Sequence, residues 1–267
     1  MISLISIIPI IVAGISGALA IFILALSFAR KIEKIQISFG CAALAVMLYG
    51  ISTANLYNSS TLIQANLFQR MQVVSIILFI LTYFYFVIHY LNLIFWKKYF
   101  WICITIAVLA IIPHVFIQNP LIWNTNESSF HLIKFFGSMQ IINESVPGII
   151  TEISFGLGVV VFFLITVKVI QEFHGQKDKF SHPLFLSTII LFIALVNDAL
   201  MGLGVINSIY ILEVGFLLLI GLVAFLLSKN IMGAIATKEA LEIANLALQV
   251  HKEELEKTVY ERTQAFQ

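Results

Sequence analysis

Seven stretches of predominantly apolar residues, spread over most of the chain, restrict its fold more than any other feature. The hydrocarbon core of a bilayer is roughly 30 Å thick, and a helix rising about 1.5 Å per residue needs about 20 apolar residues to cross it. The charged fraction of only 11% and the mean hydropathy of +1.02 exclude an ordinary soluble domain. The sequence predicts an all-α, polytopic membrane protein with approximate spans at 3–28, 37–57, 71–91, 100–118, 149–171, 183–204 and 209–228.

The basic residues indicate the orientation of these spans. With the N-terminus outside, two basic residues, Arg70 and Lys134, fall in outer loops. Eight basic residues fall in inner segments: Arg30, Lys31, Lys34, Lys97, Lys98, Lys177, Lys179 and Lys229. Cytoplasmic loops carry the excess of lysine and arginine, so the pattern predicts an external N-terminus and a cytoplasmic C-terminus.

The composition changes after Lys229 and predicts two parts, a membrane domain over 1–230 and a cytoplasmic helix over 231–267. From Thr237 onward the chain is rich in Ala, Leu, Glu, Lys and Gln and has no Gly or Pro. A seven-residue apolar pattern, with one polar histidine, runs through Leu241, Ala244, Leu248, His251 and Leu255. This pattern predicts the start of a homodimeric coiled coil, which we expect to continue beyond Gln267.

Polar and ionisable side chains inside the spans cluster near their predicted outer ends. Such residues are costly in a bilayer and commonly mark functional sites. The candidates for binding an external ligand are Asn55, Arg70, His114, Glu152, Asn197, Asp198 and Glu213. The long segment between Asn119 and Gly148, which mixes aromatic and polar residues, is expected to form a structured cap over them. The alternative reading is that these side chains only make interhelical packing contacts.

Three of these candidates are acidic (Glu152, Asp198 and Glu213) and two are basic (Arg70 and His114), which weakly favours a ligand with amine or hydroxyl groups. A lipid-like ligand is the alternative. No hydrolase, metalloprotease or nucleotide-binding motif occurs, so no catalytic residue, metal or cofactor is expected. The net charge of +1 gives no reason to expect nucleic acid as a partner.

Two segments resemble a known family of receptors. The run Ala65-Asn-Leu-Phe-Gln-Arg-Met-Gln-Val-Val and the aromatic run Tyr83-Phe-Tyr-Phe are similar to the seven-helix sensor region of bacterial histidine kinases. The tail from Leu255 to Ala265 resembles the signalling helix of such receptors, through the triplet Glu261, Arg262 and Thr263. The resemblance implies a dimer in the bacterial inner membrane that senses a small ligand and controls a cytoplasmic output domain and its response regulator.

We hypothesise that a ligand repacks the sixth and seventh helices through Asp198 and Glu213. Leu255 and Val259 are four residues apart, a stutter that locally unwinds a coiled coil and can support two states. The residues expected to transmit the signal are Gly233, Leu248, Leu255, Val259, Glu261, Arg262 and Thr263. The alternatives are the same receptor joined to a diguanylate cyclase or PAS domain, and a small-molecule transporter or channel.

Overall fold

The computed structural model describes residues 3–29, 34–117, 119–135, 138–175, 182–202 and 211–265. Two 3₁₀ turns occur at Leu4–Ser6 and Ile94–Trp96. The α-helices are α1 (Ile7–Ala29), α2 (Lys34–Tyr57), α3 (Leu62–Tyr90), α4 (Lys97–Phe116), α5 (Ile149–Gly175), α6 (His182–Gly202) and α7 (Leu212–Ala265). Two strands, β1 (Trp123–Phe135) and β2 (Ser138–Pro147), lie between α4 and α5. The chain divides into two compact units, Met1–Val223 and Ala224–Gln267.

The predicted class of a helical membrane protein is confirmed. Within the described residues, six helices are long and apolar enough to cross a bilayer, and α7 opens with a shorter apolar segment, Leu212–Leu226. Large apolar side chains remain exposed on α1, α4 and α5, for example Phe22, Leu109 and Ile153. In a soluble protein such surfaces would be a liability, whereas here they are suited to contact with lipid.

Helix α3 begins earlier than the apolar pattern predicted. It starts at Leu62 rather than near residue 71, and Thr61 caps it by accepting a hydrogen bond from the backbone N–H of Gln64 at 3.3 Å. Polar residues such as Gln69 and Arg70 are good helix formers, so the helix extends beyond the apolar stretch that hydropathy detects. Arg70 therefore lies within α3 and not at its start, which corrects the sequence-based placement.

The segment predicted as a cap forms a β-hairpin, which an all-α class did not include. Strands β1 and β2 are antiparallel, with Phe135 opposite Ser138 and Trp123 opposite Pro147. The register is irregular between Asn124 and Ser128. The hairpin thus satisfies its backbone hydrogen-bonding groups within a segment that connects two apolar helices.

Aromatic side chains form the interior of the bundle around α3. The ring centroid of Phe79 lies 4.7 Å from that of Phe216 on α7 and 5.5 Å from that of Tyr83. Tyr49 on α2 also meets Phe216, at 5.3 Å. The fully buried Tyr83 shares a hydrogen bond with Thr188 on α6. These contacts fix α2, α3, α6 and the first turns of α7 around one core.

Several predicted features lie outside the described residues. They are four basic residues predicted to lie in inner segments, Arg30, Lys31, Lys177 and Lys179, and the short loop between the predicted spans 183–204 and 209–228.

Candidate ligand site

The hairpin is joined to α5 by a close backbone contact at Gly148. Gly148 N–H donates to the carbonyl of Ile122 at 2.8 Å, and Ile150 N–H donates to that of Leu121 at 2.9 Å. A Cβ atom at Gly148 would collide with the backbone of Leu121 and of Pro120. Only glycine fits at this joint, which sets where β2 ends and α5 begins.

A buried glutamine on α3 holds the other side of the hairpin. Ser145 N–H donates to Gln69 Oε1 at 2.9 Å, and Gln69 Nε2 donates to the Ser145 carbonyl at 3.4 Å. Asn66 Nδ2 adds a bond of 3.4 Å to Ser145 Oγ. Trp123 packs beside them against Val73, also on α3. Because Asn66, Gln69 and Ser145 are all buried, these bonds fix the hairpin against α3.

Beneath the hairpin lies a cavity of about 400 Å³, between α2, α3, α5 and α6. Most of its described lining is apolar, with Val73, Ile77 and Ile80 of α3 facing Phe155 and Val159 of α5. The polar or partly polar lining residues are Tyr49, Thr53, Tyr57, Gln69, Gln72, Trp123, Ser145, Glu152, Ser154 and Asp198. This size and mixture are typical of a pocket for a small organic molecule.

Glu152 and Asp198 are the two predicted site residues that line the cavity. Glu152 lies in the first turn of α5, where the partial positive charge of the helix N-terminus favours an acid. Its side chain is exposed, and its carboxylate has no hydrogen bond or salt bridge to any described residue. No lysine, arginine or histidine is present among the described lining residues. The walls therefore carry negative charge without a cationic side chain to balance it.

Asp198 connects the cavity to the start of α7. Its Oδ1 accepts from the Ile211 N–H at 3.0 Å and from Asn197 Nδ2 at 2.9 Å, and its Oδ2 accepts from the Leu212 N–H at 3.1 Å. The first N–H groups of a helix have no partner within that helix. Asp198, although it belongs to α6, thus caps the N-terminus of α7, and Asn197 orients the cap.

Arg70 and His114 were predicted as ligand contacts, but neither is among the described lining residues. Arg70 Nη1 donates to the carbonyls of His114 at 3.4 Å and Ile117 at 2.7 Å, and Arg70 Nε donates to Asn66 at 2.7 Å. A cation at the end of α4 satisfies carbonyls that the helix leaves free. These bonds attach α4 to α3, so Arg70 has a structural role.

His114 is buried and bonded on both ring nitrogens. Nδ1 lies 2.7 Å from the Ala110 carbonyl, and Nε2 lies 3.2 Å from Thr151 Oγ1. The Thr151 hydroxyl donates its proton to the Ile122 carbonyl at 2.5 Å. His114 thus links α4 to α5 and to the base of the hairpin.

Two further candidates, Asn55 and Glu213, also lie outside the described lining. Asn55 is exposed and donates to the Ile51 carbonyl at 2.8 Å. Glu213 is buried in α7, and its Oε1 has no hydrogen-bond partner among the described residues. Burying such an oxygen is costly. The structure therefore brings together Glu152, Asp198 and, beside it, Asn197, but not the whole predicted set.

Sequence reasoning missed the uncharged polar residues of the site. Gln72 Nε2 donates to Thr53 Oγ1 at 2.8 Å, which links α3 to α2 at the cavity wall. Gln69, Gln72, Val73, Ile76 and Ile80 recur at helical spacing and line the same cavity. The three- and four-residue spacing, which places side chains on one helix face, was the signal that could have identified them.

The residues expected to transmit a signal lie on α7. Leu248, Leu255 and Val259 are exposed there, at 72%, 60% and 56%. Gly233 is exposed too, and its carbonyl accepts from Thr237 Oγ1 at 2.9 Å. Arg262 is also exposed, whereas the side chains of Glu261 and Thr263 lie outside the described part.

Surface charges on this helix pair along it, as in Lys238–Glu242 and Lys252–Glu256. Such pairs support a solvated helix.

No family model matches this sequence, and no curated protein matches it significantly.

Proposed function

We propose that this chain is the sensor module of a bacterial two-component histidine kinase. In this proposal Leu212–Leu226 completes a bundle of seven spans in the inner membrane, with the N-terminus outside and the C-terminus in the cytoplasm. A small or lipid-like molecule binds in the cavity beneath the hairpin, on the outer side. The signal passes through α7 to a cytoplasmic output domain, which acts on a response regulator.

The observation that carries the proposal is the double role of Asp198. Asp198 lines the cavity, and its carboxylate accepts hydrogen bonds from Ile211 and Leu212, at the start of α7. A ligand that hydrogen-bonds to the Asp198 carboxylate changes the strength of its bonds to Ile211 and Leu212. Because α7 runs from Leu212 to Ala265, the same helix contains both the capped end and the proposed signalling segment.

Binding in the cavity then acts as a shift between two arrangements of α6 and α7. A ligand changes such an equilibrium only by its difference in affinity for the two states. A receptor needs a group whose contacts differ between the two states, and Asp198 fits because it lines the cavity while its carboxylate caps α7. Glu152, which has no described partner, contributes to binding affinity but does not link the ligand to α7.

The receptor reading is tested by joining the 267-residue chain to the catalytic core of a histidine kinase in membrane vesicles. We expect Asp198→Asn to change autophosphorylation in a fixed direction and Glu172→Gln, at the other end of α5, to leave it unchanged. Equal autophosphorylation by the unaltered fusion protein and by both variants would contradict the proposal. Uptake of a bound solute into proteoliposomes, without any effect on the kinase, would support transport instead.

The proposed dimer is tested by disulfide crosslinking in membranes. In a background with Cys41 and Cys103 replaced by alanine, we expect Leu248→Cys and Leu255→Cys to crosslink readily, because both lie on the apolar seam. Glu253→Cys lies away from the seam and is the control. Equal crosslinking at the seam and control positions would argue against a parallel coiled coil.

A further inference from the structure

From the cavity we infer the chemical class of the ligand: an organic cation with one ammonium group and an apolar body. The inference rests on the proposed function, because it concerns the same cavity. It goes beyond that proposal by excluding anionic ligands and ranking neutral ones below amines.

The charge of the described lining is negative. Glu152 and Asp198 both line the cavity, and its described lining contains no basic residue. Arg70 is bonded to backbone carbonyls of α4 and to Asn66, and His114 is bonded to Ala110 and Thr151. Neither is placed to neutralise a ligand carboxylate or phosphate. An anion in this apolar space would lose its hydration and meet two acids, whereas an ammonium group would gain charge-assisted hydrogen bonds.

The two acids of the cavity have acceptor positions that no described residue fills. Glu152 is exposed, and its carboxylate makes no hydrogen bond to a described residue. Asp198 accepts three hydrogen bonds from described residues, and a carboxylate offers about four acceptor positions. An ammonium group carries three N–H donors and needs acceptors of this kind.

Much of the remaining described lining is aromatic or aliphatic. Tyr49, Tyr57, Trp123 and Phe155 line the cavity, and aromatic faces attract organic cations. The remaining lining includes Val73, Ile77, Ile80 and Val159, which suit a hydrocarbon body. A molecule that is charged at one end and apolar over the rest matches both parts of the lining.

The test uses three probes of the same shape: 4-phenylbutylamine, 4-phenylbutanol and 4-phenylbutanoate. The whole chain is placed in nanodiscs of phosphatidylglycerol, which has no ammonium group, and binding is measured by equilibrium dialysis. We compare the unaltered chain with Glu152→Gln and with the control Glu172→Gln. Glu172 is on the same helix, outside the cavity lining, and pairs with Lys168. Since the membrane is the same in each case, differences between variants isolate the cavity from binding to lipid.

We expect the amine to bind about tenfold more tightly than the alcohol, and the carboxylate not to bind. Glu152→Gln should remove most of the preference for the amine, and Glu172→Gln should keep it. Equal binding of amine and alcohol, unchanged preference in Glu152→Gln, or no amine binding by the folded chain would each overturn the inference. Loss of amine binding when phosphatidylethanolamine is added would support the same chemistry with a lipid as its source.

Failure of this inference is distinguishable from failure of the receptor proposal. If the alcohol or the carboxylate binds and changes kinase activity in the fusion, the ligand class is wrong and the receptor remains. If the amine binds with the expected preference and the kinase does not respond, the ligand class stands and the receptor proposal is wrong.

Discussion

Removing the carboxylate of Asp198 should loosen the first turn of α7 by an amount that follows from its hydrogen bonds. Asp198→Ala leaves the N–H groups of Ile211 and Leu212, bonded at 3.0 Å and 3.1 Å, without their acceptor. Loss of a capping side chain costs about 0.5–2 kcal/mol. Two charge-assisted bonds place this site at the upper end of that range, near 2 kcal/mol. Asp198→Asn keeps one acceptor oxygen, and should cost about 1 kcal/mol.

Hydrogen exchange in nanodiscs measures this effect directly, because protected amides exchange through local opening. Since about 1.4 kcal/mol corresponds to a factor of ten, we expect exchange at Ile211 and Leu212 to accelerate about 30-fold in Asp198→Ala. In Asp198→Asn the acceleration should be about fivefold. Glu172→Gln is the control, because Glu172 lies at the other end of α5, where it pairs with Lys168. Unchanged exchange in Asp198→Ala, or equal acceleration in the control, would refute the capping role.

Two other substitutions test the structure around the cavity. Gly148→Ala should lower the free energy of unfolding by about 1–3 kcal/mol or prevent folding, because its Cβ would meet the backbone of Leu121. Gly221→Ala is the control, because a Cβ at Gly221 has open space around it, and it should not lower the melting temperature in detergent. Equal melting temperatures of the Gly148→Ala and Gly221→Ala proteins would refute the steric argument. Thr151→Val should cost about 1–3 kcal/mol, because it leaves the buried Nε2 of His114 without its partner. An unchanged melting temperature would show that this hydrogen bond is dispensable.

The helices were predictable because apolar length is a local property. A window of about 20 residues contains what a membrane helix requires, so the six long spans follow from composition alone. The start of α3 at Leu62 was less predictable, since residues such as Gln64 and Asn66 belong to the helix but not to its apolar part. The hairpin was missed because the charged and polar residues of the loop hid its alternating pattern. Gly137, between two runs of β-forming residues, was the available signal.

The candidate site was only partly predictable, because charge indicates where a residue is costly but not what it contacts. Arg70 stood out as a charged residue at the outer end of the third predicted span, and Asp198 as a charged residue inside the sixth. Tertiary packing directs Arg70 to carbonyls at the end of α4 and Asp198 to both the cavity and α7. Gln69 did not stand out at all, since uncharged polar residues are common in membrane helices. Its importance depends on Ser145, which is 76 residues away in the chain.

The pairing of Gln69 with residue 145 has an evolutionary consequence. Gln69 binds the backbone N–H and carbonyl at position 145, groups that nearly every amino acid possesses. Substitution of the hairpin's side chains therefore leaves this attachment in place. Only Gly148, which fits against the Leu121 backbone, imposes a strict identity on the joint to α5. The side chains of the hairpin can therefore diversify while the bundle that supports it stays the same.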